Sequence, residues 1–182
     1  MMSHDMIMAG FGGQGVLLMG QLMTYAGMIE NREVSWIPSY GPEMRGGTAN
    51  CSVIIRNEKV GSPIVTEPNV LVAMNLPSLD KFEPQLQSGG ILIINSSLIE
   101  KEASRQDIKV YKIPANELAQ EIGNPKVANM IVLGAIVKAS GAVAPESVLG
   151  AFAKMFAKKP ELLEINKIAL EKGAEYIGKQ MV

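Results

Sequence analysis

Short apolar runs alternate with helical segments along the first two-thirds of the chain, and this alternation most restricts the possible fold. A short, continuously apolar run is typical of a parallel strand that is buried on both faces of a sheet. The alternation therefore predicts an α/β fold with a mostly parallel sheet and helices on both faces. The strand candidates are Met6–Ala9, Glu33–Ile37, Val70–Met74, Ile91–Ile94 and Val110–Ile113.

Apolar residues recur at helical spacing between these strands and throughout the last third of the chain. This periodicity predicts a helical C-terminal third. No linker or shift in composition divides the sequence, so we expect a single domain over residues 1–182. The helix candidates are Val16–Ile29, Leu76–Leu86, Glu117–Ile122, Val127–Ala139, Ser147–Phe156 and Pro160–Ile177.

One segment departs from the alternation of strand and helix. Thr48–Arg56 is rich in β-forming residues and alternates between apolar and polar positions. Asn57 and Glu58 can form a turn after it, and Lys59–Val65 can return as a second strand. We therefore expect a β-hairpin insertion at an antiparallel or mixed edge of the sheet.

A glycine-rich turn lies between the first strand candidate and the first helix candidate. Gly10, Gly12 and Gly15 satisfy the pattern G-x-G-x-x-G, and such a turn exposes amides at a helix N-terminus, where anions bind. The dinucleotide-binding version also needs an acidic residue at the end of the second strand, which here ends at Ile37 and Pro38. Three interpretations of the turn stay open. It could serve close strand–helix packing, bind NAD, or bind a phosphate, a carboxylate or part of coenzyme A.

A second glycine-rich loop, SYGPEMRGG at residues 39–47, contains an aromatic ring, a carboxylate and a guanidinium. Arg45 could bind a carboxylate or a phosphate through two parallel hydrogen bonds, with Tyr40 and Glu43 fixing the loop. Alternatively, Glu43 and Arg45 pair with each other or with a neighbouring subunit. We expect this loop at the carboxyl edge of the parallel sheet, beside the glycine turn.

Composition excludes several classes of protein. The single cysteine, Cys51, excludes an internal disulfide and any cysteine-ligated iron–sulfur cluster within this chain. The formal net charge of -1 gives no sign of nucleic-acid binding. Without a signal peptide or a span of about 20 apolar residues, the chain is expected to be cytoplasmic. Cys51 is expected to be buried and structural, and His4 to lie in a frayed N-terminus.

Three motifs, in this order along the chain, resemble the gamma subunit of 2-oxoacid:ferredoxin oxidoreductases. They are GFGGQG at residues 10–15, SYGPEMRGG at residues 39–47 and NPKVANM at residues 124–130. The resemblance runs from Asp5 to about Gly178 and implies a Rossmann-like domain. The candidate cofactor-binding residues are Gly10, Gly12, Gly13, Gln14, Gly15, Tyr40, Glu43 and Arg45.

What the resemblance implies is a role inside a larger enzyme. Such complexes oxidatively decarboxylate a 2-oxoacid, join the acyl group to coenzyme A and reduce ferredoxin. Thiamine diphosphate lies between the alpha and beta subunits, and iron–sulfur clusters lie on other chains, including a ferredoxin-like delta subunit. The gamma subunit packs against these partners and shapes the route for coenzyme A. The isolated chain is therefore expected to bind no cofactor or metal, to contain no catalytic residue, and to form a homodimer through a large apolar surface.

Several members of this group remain possible. The combination of EMR at residues 43–45 with NPKVANM looks most like the 2-oxoglutarate branch. The alternatives are the beta subunit of an indolepyruvate:ferredoxin oxidoreductase and the gamma subunit of a pyruvate or branched-chain oxoacid complex. An independent nucleotide-binding module is disfavoured by the missing acidic residue after Ile37. Asn124 and Pro125 predict a helix N-terminus, while structural and functional roles for Asn129 both stay open.

Overall fold

The structure, a computed structural model, describes residues 3–40 and 48–181 of the chain, excluding the side chain of Tyr40. Its strands are β1 (His4–Phe11), β2 (Glu33–Tyr40), β3 (Thr48–Arg56), β4 (Val70–Ala73), β5 (Ile91–Asn95) and β6 (Lys109–Ile113). They form one six-stranded sheet in the order β2-β3-β1-β4-β5-β6. β1, β4, β5 and β6 are mutually parallel, whereas β3 is antiparallel to both of its neighbours.

Helices cover both faces of the sheet, as the alternation of strand and helix predicts. They are α1 (Val16–Ile29), α2 (Leu76–Phe82), α3 (Ala115–Ile122), α4 (Ala128–Ser140), α5 (Pro145–Met155) and α6 (Leu162–Gly178). The short 3-10 helices Glu83–Gln85 and Pro125–Val127 follow α2 and precede α4. The predicted α/β fold and helical C-terminal third are confirmed. In the described ranges, no helix is long and apolar enough to cross a bilayer.

Alternate residues of the central strands build two separate hydrophobic layers. In β1, Met6 and Met8 contribute to the layer that contains α1 and α4, while Ile7 and Ala9 contribute to the layer that contains α2. Burial on both faces explains why the parallel strands read as continuous apolar runs. The two layers also direct α1 and α2 to opposite sides of the sheet.

The predicted hairpin of Thr48–Arg56 with Lys59–Val65 is wrong. β3 instead pairs along its full length with β1 on one side and β2 on the other, and Lys59–Val65 forms no strand. Val53 and Ile54 point to opposite faces and are both buried, so β3 is suited to a central position rather than an edge. The antiparallel hairpin is therefore formed by β2 and β3, whose connection at residues 41–47 lies outside the described residues.

His4 lies in β1 and is only 7% exposed, so the expectation of a frayed terminus there is also wrong. Burial, and then the nearby Arg32 charge, lower the pKa of His4, which favours the neutral imidazole. The adjacent Asp5 accepts hydrogen bonds from Arg56 at 3.2 Å and 2.5 Å. This ion pair joins β1 to β3 and helps to keep the beginning of the chain in the sheet.

Helices α4 and α6 approach each other through two glycines. A Cβ atom added to Gly134 would lie 2.8 Å from the carbonyl carbon of Leu170 and even closer to its oxygen. A Cβ atom added to Gly173 would lie 2.7 Å from the carbonyl carbon of Ile131, again closer still to the oxygen. The two backbones are therefore in direct contact, with no room for a side chain between them.

Each edge strand of the sheet carries a feature that limits further pairing. At β6, the Gln180 side chain accepts a hydrogen bond from Lys112 N at 3.2 Å and donates one to Lys112 O at 2.7 Å. At the opposite edge, β2 continues through Pro38 to Tyr40, beyond the predicted end at Ile37. Proline has no N–H group to donate to another strand.

Candidate functional site

A cleft lies at the carboxyl edge of the sheet, where the chain turns to opposite faces after β1 and β4. The segment after β1 leads into α1 on one face, and the segment after β4 leads into α2 on the other. Ligands in open α/β folds commonly bind at such a switch point. Here the cleft has a volume of about 220 Å³ and lies between the glycine turn and the start of α4.

The glycine turn has the geometry predicted for a tight strand-to-helix connection. Gly13 and Gly15 have φ angles of 92° and 73°. Residues other than glycine rarely adopt such positive φ angles. Gly15 precedes α1 and supplies no side-chain cap, and the first turn of α1 contains no acidic residue. The helix N-terminus is therefore positively polarised next to the cleft. Gly12 is exposed in the same turn.

Gln14 is used to build this turn. Its side-chain oxygen accepts a 2.6 Å hydrogen bond from Phe11 N, and its side-chain nitrogen donates a 3.2 Å hydrogen bond to Met74 O. These bonds tie the end of β1 to the end of β4. A Cβ atom on Gly10 would lie 2.8 Å from Met74 Cβ, so Gly10 is required for the same close approach. The structure thus supports the packing interpretation for Gly10 and Gln14.

The opposite wall of the cleft comes from the NPKVANM segment. The Asn124 side chain accepts a 3.0 Å hydrogen bond from Lys126 N, as expected for a helix cap, although it caps the 3-10 helix before α4. Lys126 is exposed and lines the cleft. Asn129 lies over the glycine turn, because a Cβ atom on Gly15 would be 2.8 Å from Asn129 Cγ. The predicted site residues included neither Lys126 nor Asn129, although their motif was part of the resemblance.

The floor of the cleft depends on a buried polar side chain at the end of β5. Asn95 is completely buried and donates a 3.0 Å hydrogen bond to Asn116 Oδ1. Its oxygen accepts hydrogen bonds from Ala115 N and Ser97 N at 3.2 Å and 3.3 Å. Asn95 thereby starts α3 and positions Asn116, which lines the cleft. The sequence gives no local sign of this role, since the partners are distant along the chain.

The second predicted loop is described only at its ends. Its predicted site residues Glu43 and Arg45 lie outside the described residues, and for Tyr40 the backbone alone is described. Tyr40 is paired with Ala49 at the end of β2, and Thr48 is paired with Phe11. Both ends of the loop are thus at the sheet edge that carries the glycine turn. The convergence of Arg45 with that turn stays a prediction.

Cys51 is fully buried in β3, which confirms the structural interpretation of this residue. Its thiol lies next to Gly20 of α1, where an added Cβ atom would overlap Cys51 Sγ and lie 2.9 Å from Trp36 Nε1. Burial raises the pKa of the Cys51 thiol from 9.0 to about 12. At neutral pH the thiol is therefore protonated and shielded from reagents.

We expect Cys51 to react with a thiol reagent such as 5,5′-dithiobis(2-nitrobenzoic acid) at least about 1,000 times more slowly in the folded chain than in urea, since reaction requires opening of the core. Labelling kinetics with and without urea measure this effect. Equal rates would contradict it.

The raised pKa of Cys51 also predicts how stability depends on pH. The unfolded thiol ionises near pH 9 and the folded thiol only near pH 12. The free energy of unfolding should therefore fall as the pH rises between these values.

The cleft and fold have counterparts in known proteins. The family model for pyruvate ferredoxin/flavodoxin oxidoreductase matches residues 5–176. The 2-oxoglutarate synthase subunit KorC of Methanocaldococcus jannaschii is 34% identical, in an alignment covering 99% of this chain and 96% of that subunit. The ketoisovalerate oxidoreductase subunit VorA of Methanothermobacter marburgensis is 41% identical over 95% of this chain. The chain spans about a third of the length of VorA, since the match covers 36% of that protein.

A solved structure agrees with these sequence relationships. The gamma subunit of the keto/oxoacid ferredoxin oxidoreductase from Geobacter sulfurreducens superposes with a TM-score of 0.82 and 28% sequence identity. The superposition covers 97% of this chain and 99% of that one. The resemblance to gamma subunits is thus confirmed in both sequence and fold. The chain belongs to the pyruvate ferredoxin/flavodoxin oxidoreductase family.

Proposed function

We propose that the chain is the gamma subunit of a 2-oxoglutarate:ferredoxin oxidoreductase. The observation that carries this proposal is the end-to-end similarity to KorC, which is itself a separate subunit of a 2-oxoglutarate synthase. The complex would decarboxylate 2-oxoglutarate oxidatively, transfer the acyl group to coenzyme A and pass two electrons to ferredoxin. This chain would support assembly and coenzyme A access.

The residues of the chain suit such a supporting role. Its single cysteine cannot hold a cysteine-ligated iron–sulfur cluster, so the electrons would travel through clusters on other subunits. Thiamine diphosphate would likewise be bound by the alpha and beta subunits. The contribution of this chain would be the cleft beside the glycine turn, whose wall carries Lys126 and which lies at the sheet edge where the loop at residues 41–47 begins and ends.

A second candidate substrate is ketoisovalerate, favoured by the higher identity to VorA. In VorA, the region similar to this chain is part of a polypeptide about three times as long. The same domain therefore occurs both as a separate chain and as part of a longer one. The alignment over 96% of the length of KorC favours the 2-oxoglutarate assignment, while percentage identity favours the ketoisovalerate one.

The test is to co-express the chain with the oxidoreductase subunits that are encoded by neighbouring genes. The assembly is then purified through a tag on this chain. We expect alpha, beta and delta subunits to co-purify and viologen dye to be reduced only when both 2-oxoglutarate and coenzyme A are present. Ketoisovalerate, pyruvate and indolepyruvate are assayed in parallel. Preference for one of these acids would reassign the substrate, and failure of any subunit to co-purify would contradict the proposal.

Exposed apolar residues on α1 and α5 support contact with partner subunits. Met28 and Met155 are 54% and 36% exposed, whereas Met23 and Met130 belong to the core. Methionine-rich surfaces adapt readily to a partner. Because similar domains occur within longer chains, we propose that partner subunits cover this surface in the complex. A homodimer of the isolated chain stays a prediction.

Arg45 gives a kinetic test of the coenzyme A route. In the assembled enzyme, we expect Arg45→Lys to raise the apparent KM for coenzyme A or for the 2-oxoacid by roughly 10- to 150-fold, because lysine keeps the charge but loses the paired hydrogen bonds. Steady-state kinetics on the purified complex measure the change. Subunit stoichiometry should be unaffected.

The opposite outcome for this variant is equally informative. If Arg45→Lys causes the complex to dissociate while the remaining assembled fraction keeps normal kinetics, Arg45 is an interface residue. In that case its guanidinium pairs with Glu43 or with a neighbouring subunit, and the proposed role in coenzyme A binding is wrong.

A further inference from the structure

We propose that a groove between α1 and α5 binds an amphipathic helix of a partner subunit, which carries an apolar stripe and, at one end, acidic residues. The groove has a volume of about 510 Å³. The presence of a partner subunit rests on the proposed function, whereas the chemistry of the bound helix rests on the groove itself. The residues that line the groove are Tyr25, Met28, Ile29, Ala151, Lys154 and Met155.

Helix α1 lacks the charged outer face that is typical of a helix exposed to water. Its sequence, VLLMGQLMTYAGMI, contains no charged residue, although Tyr25 and Met28 are 46% and 54% exposed. A helix without a charged face is normally covered by protein on all sides. The outer face of α1 is therefore suited to contact with another protein rather than with water.

The residue pattern of α1 suits a second helix packed along it. Leu18, Gln21, Tyr25 and Met28 follow one another at intervals of three, four and three residues, and all four are at least partly exposed. This spacing places their side chains on one side of the helix, as in the seam of a coiled coil. Across the groove, Ala151 of α5 presents only a methyl group. A groove between two packed helices is a common binding place for a third, amphipathic helix.

The charges beside the groove specify acidic residues on the bound helix. Lys154 lines the groove, and Lys158 and Lys159 follow shortly after the end of α5. All three are exposed, and none forms a salt bridge within residues 3–40 or 48–181. Carboxylates on a partner helix would complement these ammonium groups. A second copy of this chain would bring no carboxylate from α1 or from the groove lining, so the groove matches an acidic partner better than itself.

Crosslinking with a water-soluble carbodiimide tests the charge complementarity, because this reagent joins a lysine only to a carboxylate in contact with it. The reaction is applied to the intact complex, purified through a tag on this chain. We expect Lys154, Lys158 or Lys159 to be joined to an Asp or Glu of an amphipathic helix in a partner subunit, as mapped by mass spectrometry. If these lysines are joined only within this chain, only to a second copy or to a partner segment without an apolar stripe, or are not joined at all, the proposal is wrong.

Substitution of the apolar stripe supplies a second test. Met28→Glu places a charge where the apolar side of the partner helix would lie, and we expect the amount of partner subunit retained on the tagged chain to fall at least about tenfold. Ile64→Glu is the matched control, since Ile64 is 68% exposed in the segment between β3 and β4, and it should leave retention unchanged. Far-ultraviolet circular dichroism of the isolated chains checks that both variants fold. If Met28→Glu does not fold, Tyr25→Glu replaces it in the same comparison.

The outcomes separate this inference from the proposed function. If the complex assembles and reduces dye with 2-oxoglutarate and coenzyme A, yet Met28→Glu and Ile64→Glu retain equal amounts of partner subunit, the inference fails alone. If the native chain retains no partner subunit, both fail. If Met28→Glu changes only the self-association of the isolated chain in analytical ultracentrifugation, the groove binds a second copy, and the partner helix is overturned.

Discussion

Gly173→Ala is expected to lower the free energy of unfolding by about 3 kcal/mol or more, even though alanine is the better helix former. Helix propensity alone would stabilise the variant by about 1 kcal/mol. The opposing effect is steric, because the new Cβ atom would lie 2.7 Å from the carbonyl carbon of Ile131. That atom belongs to a helix backbone and cannot move away by changing a rotamer, so α4 and α6 must separate.

Gly150→Ala in α5 is the matched control for this effect. A Cβ atom at Gly150 would meet only Ile29 Cδ1, at an ordinary contact distance of 3.6 Å. The same substitution should therefore stabilise the protein by about 0.5–1 kcal/mol. Urea unfolding, followed by far-ultraviolet circular dichroism, measures both variants. Equal stability of Gly173→Ala and Gly150→Ala would show that the close helix contact does not exist in solution.

The reciprocal substitution extends this test. Gly134→Ala should destabilise the chain to a similar degree, because its new Cβ atom would lie 2.8 Å from the carbonyl carbon of Leu170. Separation of α4 and α6 relieves both clashes at once. The double variant should therefore lose less stability than the sum of the single losses.

Asn95→Leu should lower the free energy of unfolding by about 3–5 kcal/mol, although leucine is apolar and similar in size. Asn95 is fully buried and forms hydrogen bonds with Asn116, Ala115 and Ser97. Leucine would leave these donors and acceptors without partners at the end of β5, and each unsatisfied buried group costs about 1–3 kcal/mol. Chemical denaturation of the purified variant measures the loss.

Asn166→Leu in α6 separates this mechanism from the general effect of replacing a buried asparagine. Asn166 is 8% exposed, and its side chain donates a 2.7 Å hydrogen bond to Leu162 O within its own helix. That carbonyl has helical amides available as alternative donors. We expect Asn166→Leu to change the stability by less than about 1 kcal/mol. A comparable loss in both variants would contradict the specific role of Asn95.

The strands and helices are largely predictable from hydrophobic periodicity. Helix α1 and strand β3 have the predicted limits of Val16–Ile29 and Thr48–Arg56. The parallel strands are recognisable because both of their faces are buried, which keeps their sequences apolar. Two glycines of the predicted turn, Gly13 and Gly15, adopt the positive φ angles that such a connection requires.

Pairing between strands is less predictable, because it depends on which elements cover each face. A turn signal at Asn57 and Glu58 favours a hairpin with the residues that follow. The following segment contains Gly61 and Pro63, which weaken its ability to pair. β2 instead offers Trp36, which packs against the larger hydrophobic layer. β3 therefore pairs with β2, whose Trp36 side chain is partly buried in that layer, although the second glycine-rich loop separates the two strands in the sequence.

Contacts between distant residues account for the parts of the candidate site that the sequence did not predict. Asn129 is close to Gly15 only after α1 and α4 have packed on the same face of the sheet. A glycine inside an otherwise apolar helix, such as Gly134, does indicate a close approach. It does not identify the element that approaches, which for Gly134 is α6.

The two edge strands also restrict how this domain can join other proteins. Gln180 imitates the backbone of an absent neighbouring strand, because its carboxamide occupies both hydrogen-bonding groups of Lys112. Pro38 removes one donor from the opposite edge. Exposed strand edges otherwise serve as templates for aggregation and for strand addition between chains. Both edges thus have fewer free backbone groups with which a strand of another chain could pair, which disfavours addition of a strand at either side of the sheet.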